Sequence, residues 1–255
     1  MLDEEIYSSM RQMEDRVLKT KEKIRRIKHK IAFYSGKGGV GKTTVAVNTA
    51  VALVGLGCKV GLFDADIDCP NSHNLLGIEE TIVFNDNKII PVEKNNIKFI
   101  SMALMQEDNE SAIIWRGPML AKAVNDLMFY ADWGDLDFLI IDMPPGTSDI
   151  PLTVMQNLDI NGFILVTTPQ QMAINDMVRS ANMIRKMSFP ILGIVDNMCG
   201  DVFGCSDNSI AEELGTKFIG HVKLSKNIRE KSDKGIPVPE EFVNIAKYLQ
   251  NYYNS

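Results

Sequence analysis

Short apolar runs alternate with longer stretches of helical periodicity along most of this chain. The apolar runs predict β-strands at residues 31–33, 59–63, 97–100, 137–142, 163–166 and 191–195. Between them, apolar positions recur at helical spacing, most clearly over residues 45–53 and 170–186. The nearly continuous apolar run at residues 137–142 is typical of a strand that is buried on both faces. The alternation predicts an α/β fold with a mostly parallel sheet and helices on both faces.

Two segments depart from this alternation. Residues 1–28 place apolar side chains at near-helical spacing among many charges and predict an amphipathic lead-in helix, so residues 29–255 form the main domain. Residues 1–30 carry 9 Lys or Arg against 6 Asp or Glu. Such a charge run is usually a solvated helix face, with contact to an anionic membrane or RNA as the alternative. Residues 82–90 predict a β-hairpin with its turn at residues 85–87.

Composition narrows the class of protein. The chain has 255 residues, of which 45% are hydrophobic and 24% are charged, and its net charge is −6. The acidic balance argues against a general nucleic-acid binder, and no apolar run approaches the roughly 18 residues of a membrane span. The first residues lack the basic and apolar regions of a signal peptide. We therefore expect a cytoplasmic protein with no nucleic-acid partner and no membrane partner.

A glycine-rich stretch lies between the first predicted strand and the first predicted helix. Residues 36–43 match the pattern G-x-x-x-x-G-K-[ST], in which backbone N–H groups wrap phosphate oxygens, the lysine reaches the terminal phosphates and the hydroxyl faces Mg²⁺. The predicted nucleotide-binding residues are Gly36, Gly38, Gly39, Val40, Gly41, Lys42, Thr43 and Thr44. The same glycines also read G-x-G-x-x-G, the dinucleotide pattern, but the Lys-Thr pair favours the phosphate loop, or P-loop.

Acidic residues follow two of the predicted strands. Asp64 and Asp66 end the second strand, and Asp142 ends the buried run at residues 137–142 as a Walker B carboxylate would. At the carboxyl edge of a parallel sheet, one carboxylate can hold Mg²⁺-bound water while another orients the attacking water. Carboxylates in a solvated turn are the alternative at residues 64–68.

Several further motifs carry a family resemblance over about residues 20–240. They are an early loop lysine at Lys37, DAD at residues 64–66, IWRGPM at 114–119, MPPGT at 143–147 and TTPQ at 167–170. With these motifs the chain resembles the Mrp/ApbC branch of the deviant Walker A P-loop ATPases. These are relatives of the MinD/ParA proteins and are described as iron–sulfur cluster carriers.

The resemblance implies roles for individual residues. Lys37 would reach the partner's nucleotide across a homodimer, so Lys37, Lys42 and Asp66 form the catalytic set, with Asp66 positioning the attacking water. Thr43, Asp64 and Asp142 would hold Mg²⁺, and Asn197 would bind adenine, with a strand-end turn as its alternative role. The implied cofactors are ATP and Mg²⁺, and the implied reaction is slow, switch-like ATP hydrolysis.

The cysteines depart from the family pattern. Four cysteines are too few for a disulfide scaffold, and reduced thiols are expected in the cytoplasm. The carriers show C-x-x-C, so that a dimer offers four thiolates to a bridging [4Fe-4S] cluster, whereas Cys199 and Cys205 have the spacing C-x₅-C. Two interpretations of Cys199 and Cys205 therefore remain open. They bind an iron–sulfur cluster or zinc at a site shared across a dimer, or they are one buried cysteine and one loop cysteine without a metal.

Three functions follow from these patterns. The first is a Mg²⁺-ATP-dependent homodimeric ATPase that delivers iron–sulfur clusters to apo-proteins or works with other cluster-assembly proteins. The second is a MinD/ParA-like positioning ATPase without a cluster. The third is a dinucleotide oxidoreductase, which would bind NAD without needing Mg²⁺.

Overall fold

The computed structural model describes residues 26–85, 88–105 and 117–254, and over these residues it contains ten strands and eight α-helices. The first half comprises β1 (Ile27–Tyr34), α1 (Lys42–Gly55), β2 (Val60–Asp64), α2 (Ser72–Leu76), β3 (Val83–Asn85), β4 (Lys88–Ile90), β5 (Val92–Lys94), β6 (Ile97–Ser101), α3 (Gly117–Tyr130) and β7 (Leu136–Asp142). The second half comprises α4 (Asp149–Asn157), β8 (Gly162–Thr167), α5 (Gln171–Lys186), β9 (Ile191–Cys199), α6 (Ser209–Glu213), β10 (Phe218–Lys223), α7 (Lys226–Ser232) and α8 (Val243–Asn254). Two 3₁₀ turns cover Met102–Met105 and Pro239–Phe242.

Eight of the strands form one sheet in the order β10-β9-β8-β1-β7-β2-β6-β5. Neighbouring strands are parallel except for the antiparallel pair of β5 and β6. Every residue of β2 and β8 is buried, so both faces of the sheet are covered. The predicted α/β class with a mostly parallel sheet is confirmed.

Helices pack onto the sheet and onto each other. The first helix, α1, contacts β1, β2 and β7 and also packs against α8, whose residues Ile245, Ala246 and Leu249 are buried. Asn48 of α1 connects this helix to the segment that precedes α8. Its carboxamide donates to the Thr44 carbonyl at 2.8 Å and accepts from the Val238 N–H at 2.5 Å. This contact holds the chain that precedes α8 beside the middle of α1.

The observed element boundaries correct two details of the sequence-based expectation and confirm a third. Strand β1 begins at Ile27, so the last two residues of the predicted lead-in helix belong to the sheet, and residues 1–25 lie outside the described residues. Strand β9 continues to Cys199, so Asn197 lies within the strand and not after it. The predicted hairpin is confirmed as the antiparallel pair β3 and β4.

None of the helices in the described ranges is both long enough and apolar enough to cross a membrane.

Candidate functional site

The P-loop joins the end of β1 to the first turn of α1. Gly39 and Gly41 have φ of 81° and 79°, in the left-handed region that favours glycine. A Cβ atom on Gly41 would lie 2.2 Å from the Asn197 Nδ2 atom, and one on Gly36 would lie 2.2 Å from the Asp176 backbone. These glycines let the loop pass close to its neighbours and present N–H groups at the start of a 14-residue helix.

Lys42 and Asp142 form a buried ion pair beneath the loop. The Lys42 Nζ atom lies 2.5 Å from the Asp142 Oδ1 atom and 3.4 Å from the Thr43 hydroxyl. Only 6% of the lysine side chain and 1% of the aspartate side chain are exposed. Each of these buried charges stabilises the other, because removing either partner would leave an uncompensated charge in the interior. The structure therefore brings the predicted phosphate-binding lysine and the predicted Walker B carboxylate together.

A second carboxylate lies beside this pair. Asp64 faces Asp142 in the parallel register of β2 and β7, and both side chains are fully buried. Ser72 connects them, because its N–H donates to the Asp64 Oδ2 atom at 3.0 Å and its hydroxyl donates to the Asp142 Oδ2 atom at 3.3 Å. The Asp66 N–H donates to the Asp64 Oδ1 atom at 3.1 Å. The arrangement gathers carboxylate oxygens where a hard cation such as Mg²⁺ would bind.

Burial and the nearby charge of Asp142 raise the pKa values of Asp64 and Asp66. Desolvation, reinforced by the charge of Asp142, raises the pKa of Asp64 to about 7. Desolvation also raises the pKa of Asp66 to about 6, against the opposing effect of Lys42. A bound divalent cation would favour the ionised forms of both carboxyls.

An open cavity of 870 Å³ lies over the loop. It is lined by P-loop residues including Thr43 and Thr44, by Asp66, and by residues 232–235 at the end of α7. Gly235 packs against Gly77, since a Cβ on Gly235 would lie 2.5 Å from the Gly77 Cα atom. A second cavity of 520 Å³ shares Thr44 and residues 232–233 with the first and reaches Asn197. The combined space extends from the phosphate loop towards β9.

Asn197 connects β9 to the P-loop. Its Nδ2 atom donates to the Val40 carbonyl at 2.8 Å, and the residue is only 6% exposed. The same strand ends two residues later at Cys199. Asn197 is thus placed beside the predicted nucleotide site, and it also links that site to the first cysteine.

One expectation about the cysteines is wrong. Cys199 and Cys205 are joined by a disulfide, so the prediction that all thiols are reduced is wrong for this pair, while Cys58 and Cys69 are free. The physical reason is a tight hairpin, in which the Gly200 N–H donates to the Gly204 carbonyl at 2.9 Å and the reverse bond is 2.7 Å. This hairpin brings the Cα atoms of residues six apart to 4.8 Å. Despite the unusual spacing, the two sulfur atoms converge.

Lys37 lies at the surface side of the loop, where it is half-buried. Its carbonyl accepts a hydrogen bond from the Ser35 hydroxyl at 3.0 Å.

The sequence patterns did not predict Ser72 or His221 as site residues. The signal for Ser72 was its place at the start of a short helix eight residues after Asp64. The signal for His221 was only its strand position opposite Asp196, which requires the register of β9 and β10.

The fold and this geometry define the class as P-loop nucleotide-binding proteins, and solved structures share the fold. The nucleotide-binding protein of Archaeoglobus fulgidus, solved in complex with ADP, has a TM-score of 0.73 and 30% identity, covering 89% of this chain and 91% of that one. The cell division ATPase MinD of Pyrococcus furiosus has a TM-score of 0.69 and 22% identity, covering 89% and 100%. At 22% identity, the similarity to MinD concerns the fold alone.

Sequence comparison gives the family. The profile described as "ParA: NUBPL iron-transfer P-loop NTPase" matches residues 26–254. The iron-sulfur cluster carrier protein of Aquifex aeolicus is 41% identical over 260 residues, covering 92% of this chain and 71% of the relative. The protein of that name from Methanocaldococcus jannaschii is 43% identical over 252 residues, covering 91% and 87%. This chain belongs to the NUBPL-type iron-transfer P-loop NTPase family, as its motifs indicated.

Proposed function

We propose that this protein is a Mg²⁺-dependent ATPase that carries an iron–sulfur cluster to apo-proteins and works as a homodimer. One observation carries the proposal: Asn197 and Cys199 stand on the same strand, and the Asn197 amide is hydrogen-bonded to the P-loop at 2.8 Å. Nucleotide bound in the loop would therefore act on the strand that holds the cysteine hairpin. The names of the relatives above support iron–sulfur cargo.

The chain's own residues account for nucleotide binding. Loop N–H groups and Lys42 would take the phosphates, and the Lys42 ammonium would turn from Asp142 towards them. Thr43, Asp64 and Asp142 fit Mg²⁺, since the Lys42 ammonium lies near both the Thr43 hydroxyl and Asp142, and Ser72 donates to both buried carboxylates. Bound Mg²⁺ would neutralise phosphate charge. The cavity towards Asn197 has room for the adenine end.

Hydrolysis requires groups that reach the terminal phosphate. Asp66 lines the cavity, and its raised pKa of about 6 leaves a carboxylate that can accept a hydrogen bond from the attacking water near neutral pH. Lys37 would act on the nucleotide of the partner subunit, as an arginine finger does, so hydrolysis would depend on the dimer. Lys37 is half-buried, so part of its side chain is accessible to another chain.

Cargo binding requires the disulfide to open. A dithiol reductant would supply two electrons and two protons, break the Cys199–Cys205 bond and become a disulfide itself. Two thiolates from each subunit of a dimer would then offer four sulfur ligands to one cluster.

Anaerobic reconstitution with iron, sulfide and a dithiol tests this proposal. We expect about one cluster per dimer by iron and sulfide analysis, with charge-transfer absorption in the visible range that is lost in Cys199→Ser. Cys58→Ser is the matched control, because Cys58 is a free cysteine elsewhere in the fold. If the wild-type protein hydrolyses ATP but takes up no iron, the carrier function is wrong and a positioning ATPase of MinD/ParA type becomes the better hypothesis.

A further inference from the structure

Three potential metal ligands converge at the ends of β9 and β10. One ligand atom each from Cys199, Cys205 and His221 lie within 4.8 Å of one another. In a tetrahedral zinc site with two sulfurs and one nitrogen, ligand atoms are about 3.6–3.8 Å apart, given Zn–S and Zn–N bonds of about 2.3 and 2.05 Å. Once the disulfide is reduced, the two sulfur atoms must move apart to this separation, and the His221 nitrogen already lies within 4.8 Å of both sulfurs.

The convergence does not depend on the disulfide. The paired hydrogen bonds between Gly200 and Gly204 close the hairpin through the backbone, and these glycines have φ of 148° and 73°. After Cys199, the Leu224 N–H donates to the Cys199 carbonyl at 2.8 Å and ties the hairpin to the end of β10. The two thiols therefore stay side by side, next to His221, when the bond between them is reduced.

The His221 ring is already held in the way that metal-binding histidines are held. Its Nδ1 atom lies 3.1 Å from the Asp196 Oδ2 atom, and Asp196 has no exposed surface. The Ser206 N–H donates to the same carboxylate oxygen at 2.8 Å and links it to the residue after Cys205. Histidine ligands commonly engage a carboxylate through the ring nitrogen that does not bind the metal. Nε2 is thus the nitrogen left for a metal.

A further observation concerns the charge balance around Asp196. Its Oδ1 atom is buried and has no hydrogen-bond partner within the described ranges. A buried carboxylate with an unpaired oxygen is unfavourable unless positive charge lies nearby. A cation bound by His221 would place positive charge beside this carboxylate and would orient the remaining ring N–H towards it.

We propose that Cys199, Cys205 and His221 of a single chain bind a divalent cation of the Zn²⁺ class, with Asp196 positioning the imidazole. A dithiol reductant first opens the disulfide with two electrons and two protons, and the cation then displaces the two thiol protons. The fourth tetrahedral position stays open to a ligand from outside. Because Cys205 and His221 are exposed, the site is accessible from solvent. The site needs neither ATP hydrolysis nor a second copy of the chain.

Titration with Co²⁺ alone tests this site in the reduced, nucleotide-free, full-length protein under anaerobic conditions. We expect one Co²⁺ per chain, visible ligand-field absorption of a tetrahedral thiolate site, and full displacement by Zn²⁺. Sedimentation should show that the metal-bound species includes the monomer. His221→Ala should weaken binding by more than about 100-fold and Asp196→Asn by about 10- to 100-fold.

Two variants make the assignment specific. His29→Ala removes a half-buried histidine that stacks on Tyr253 elsewhere in the fold, and it should leave Co²⁺ affinity unchanged. His221→Cys replaces one ligand by another and should restore tight binding with a shifted spectrum, which loss of a merely structural contact would not do.

Unchanged Co²⁺ affinity and spectrum in His221→Ala would overturn the proposal, as would a stoichiometry of one metal per two chains found only in dimers. The outcome is distinct from that of the carrier test. Failure to assemble an iron–sulfur cluster while Co²⁺ binding persists would contradict the carrier function and leave this site standing.

Discussion

The nucleotide site and the cysteine hairpin both lie at the carboxyl ends of parallel strands in one sheet, but they are built differently. At the nucleotide site, Asp64 and Asp142 are fully buried, and Ser72 donates to both. At the hairpin, Cys205 and His221 are exposed. Burial fixes charged groups in one geometry and strengthens their interactions, which suits phosphate chemistry. Exposure leaves sulfur and nitrogen atoms accessible to another molecule, which suits uptake and release of a metal or cluster.

A single strand connects the two regions. Asn197 contacts the P-loop carbonyl of Val40, and Cys199 begins the hairpin two residues later on β9. This family member therefore has a buried phosphate-loop site and an accessible pair of cysteines on one sheet. Changes at one end should be separable from changes at the other, and the following predictions test that separation.

The largest effect is expected for Lys37→Ala. Hydrolysis should fall about 10³-fold, because the variant removes the charge that we propose Lys37 supplies to the transition state across the dimer. Nucleotide binding should be nearly unchanged, because Lys42 and the loop N–H groups remain. Steady-state phosphate release and binding of a fluorescent ATP analogue measure the two effects, and Lys122→Ala, an exposed lysine on α3, is the control.

Mixing two inactive variants shows whether Lys37 acts in trans. A heterodimer of Lys37→Ala and Asp66→Ala subunits contains one complete site, so random mixing should restore about a quarter of wild-type hydrolysis. A mixture as inactive as its components would place Lys37 in its own subunit's site or outside the mechanism.

Asp66→Ala should lower hydrolysis by about 10²-fold or more, since the attacking water loses its orienting carboxylate. The phosphates and Mg²⁺ would keep their ligands, so an ATP-bound dimer should accumulate in size-exclusion chromatography with ATP. Asp68→Ala changes an exposed acid of the same turn and serves as the control. If Asp66→Ala hydrolyses ATP at the wild-type rate, Asp66 does not orient the attacking water and is only a turn residue.

Ser72→Ala should have a smaller effect, of about 10-fold on Mg²⁺-dependent nucleotide affinity. The variant removes the hydroxyl that donates to Asp142 while keeping the N–H that donates to Asp64. Thiol accessibility at Cys205 after reduction should not change, because Ser72 belongs to the buried region only. Isothermal titration measures the nucleotide affinity, and thiol labelling measures the accessibility of Cys205. Ser209→Ala, at an exposed serine, is the control. A parallel change in thiol labelling would contradict the separation of the two regions.

The smallest effect concerns the pH dependence of stability without nucleotide and Mg²⁺. The pKa of Asp64 is raised from 3.8 to about 7 in the folded protein, so the folded state binds more protons than the unfolded state between these values. This contribution to the unfolding free energy is fully present below pH 4 and is lost as the pH rises through about 7. Asp64→Asn should therefore flatten the decline seen by urea denaturation over that window, whereas Asp68→Asn should leave it unchanged.

Local patterns were sufficient for much of the fold. Residues 36–43 predicted a phosphate loop, because the glycine and lysine spacing that phosphate binding requires is a short-range property. The apolar run ending in Asp142 predicted a buried strand that carries an acid to the same edge, and β7 confirms it. Boundaries were less accurate. The end of β9 at Cys199 depends on pairing with β10, which no local pattern contains.

The candidate sites likewise combine features that the local sequence predicts with contacts that only the fold creates. The sequence alone determined the phosphate loop, the acidic strand ends and the family, since each depends on residues that are adjacent along the chain. Only the tertiary structure decided that Ser72 joins Asp64 to Asp142, that a glycine hairpin closes the C-x₅-C spacing, and that His221 lies beside the two sulfurs. The physical reason is that each of these contacts is made by strand register and backbone turns between distant residues, and such long-range pairings leave no periodic trace in the sequence.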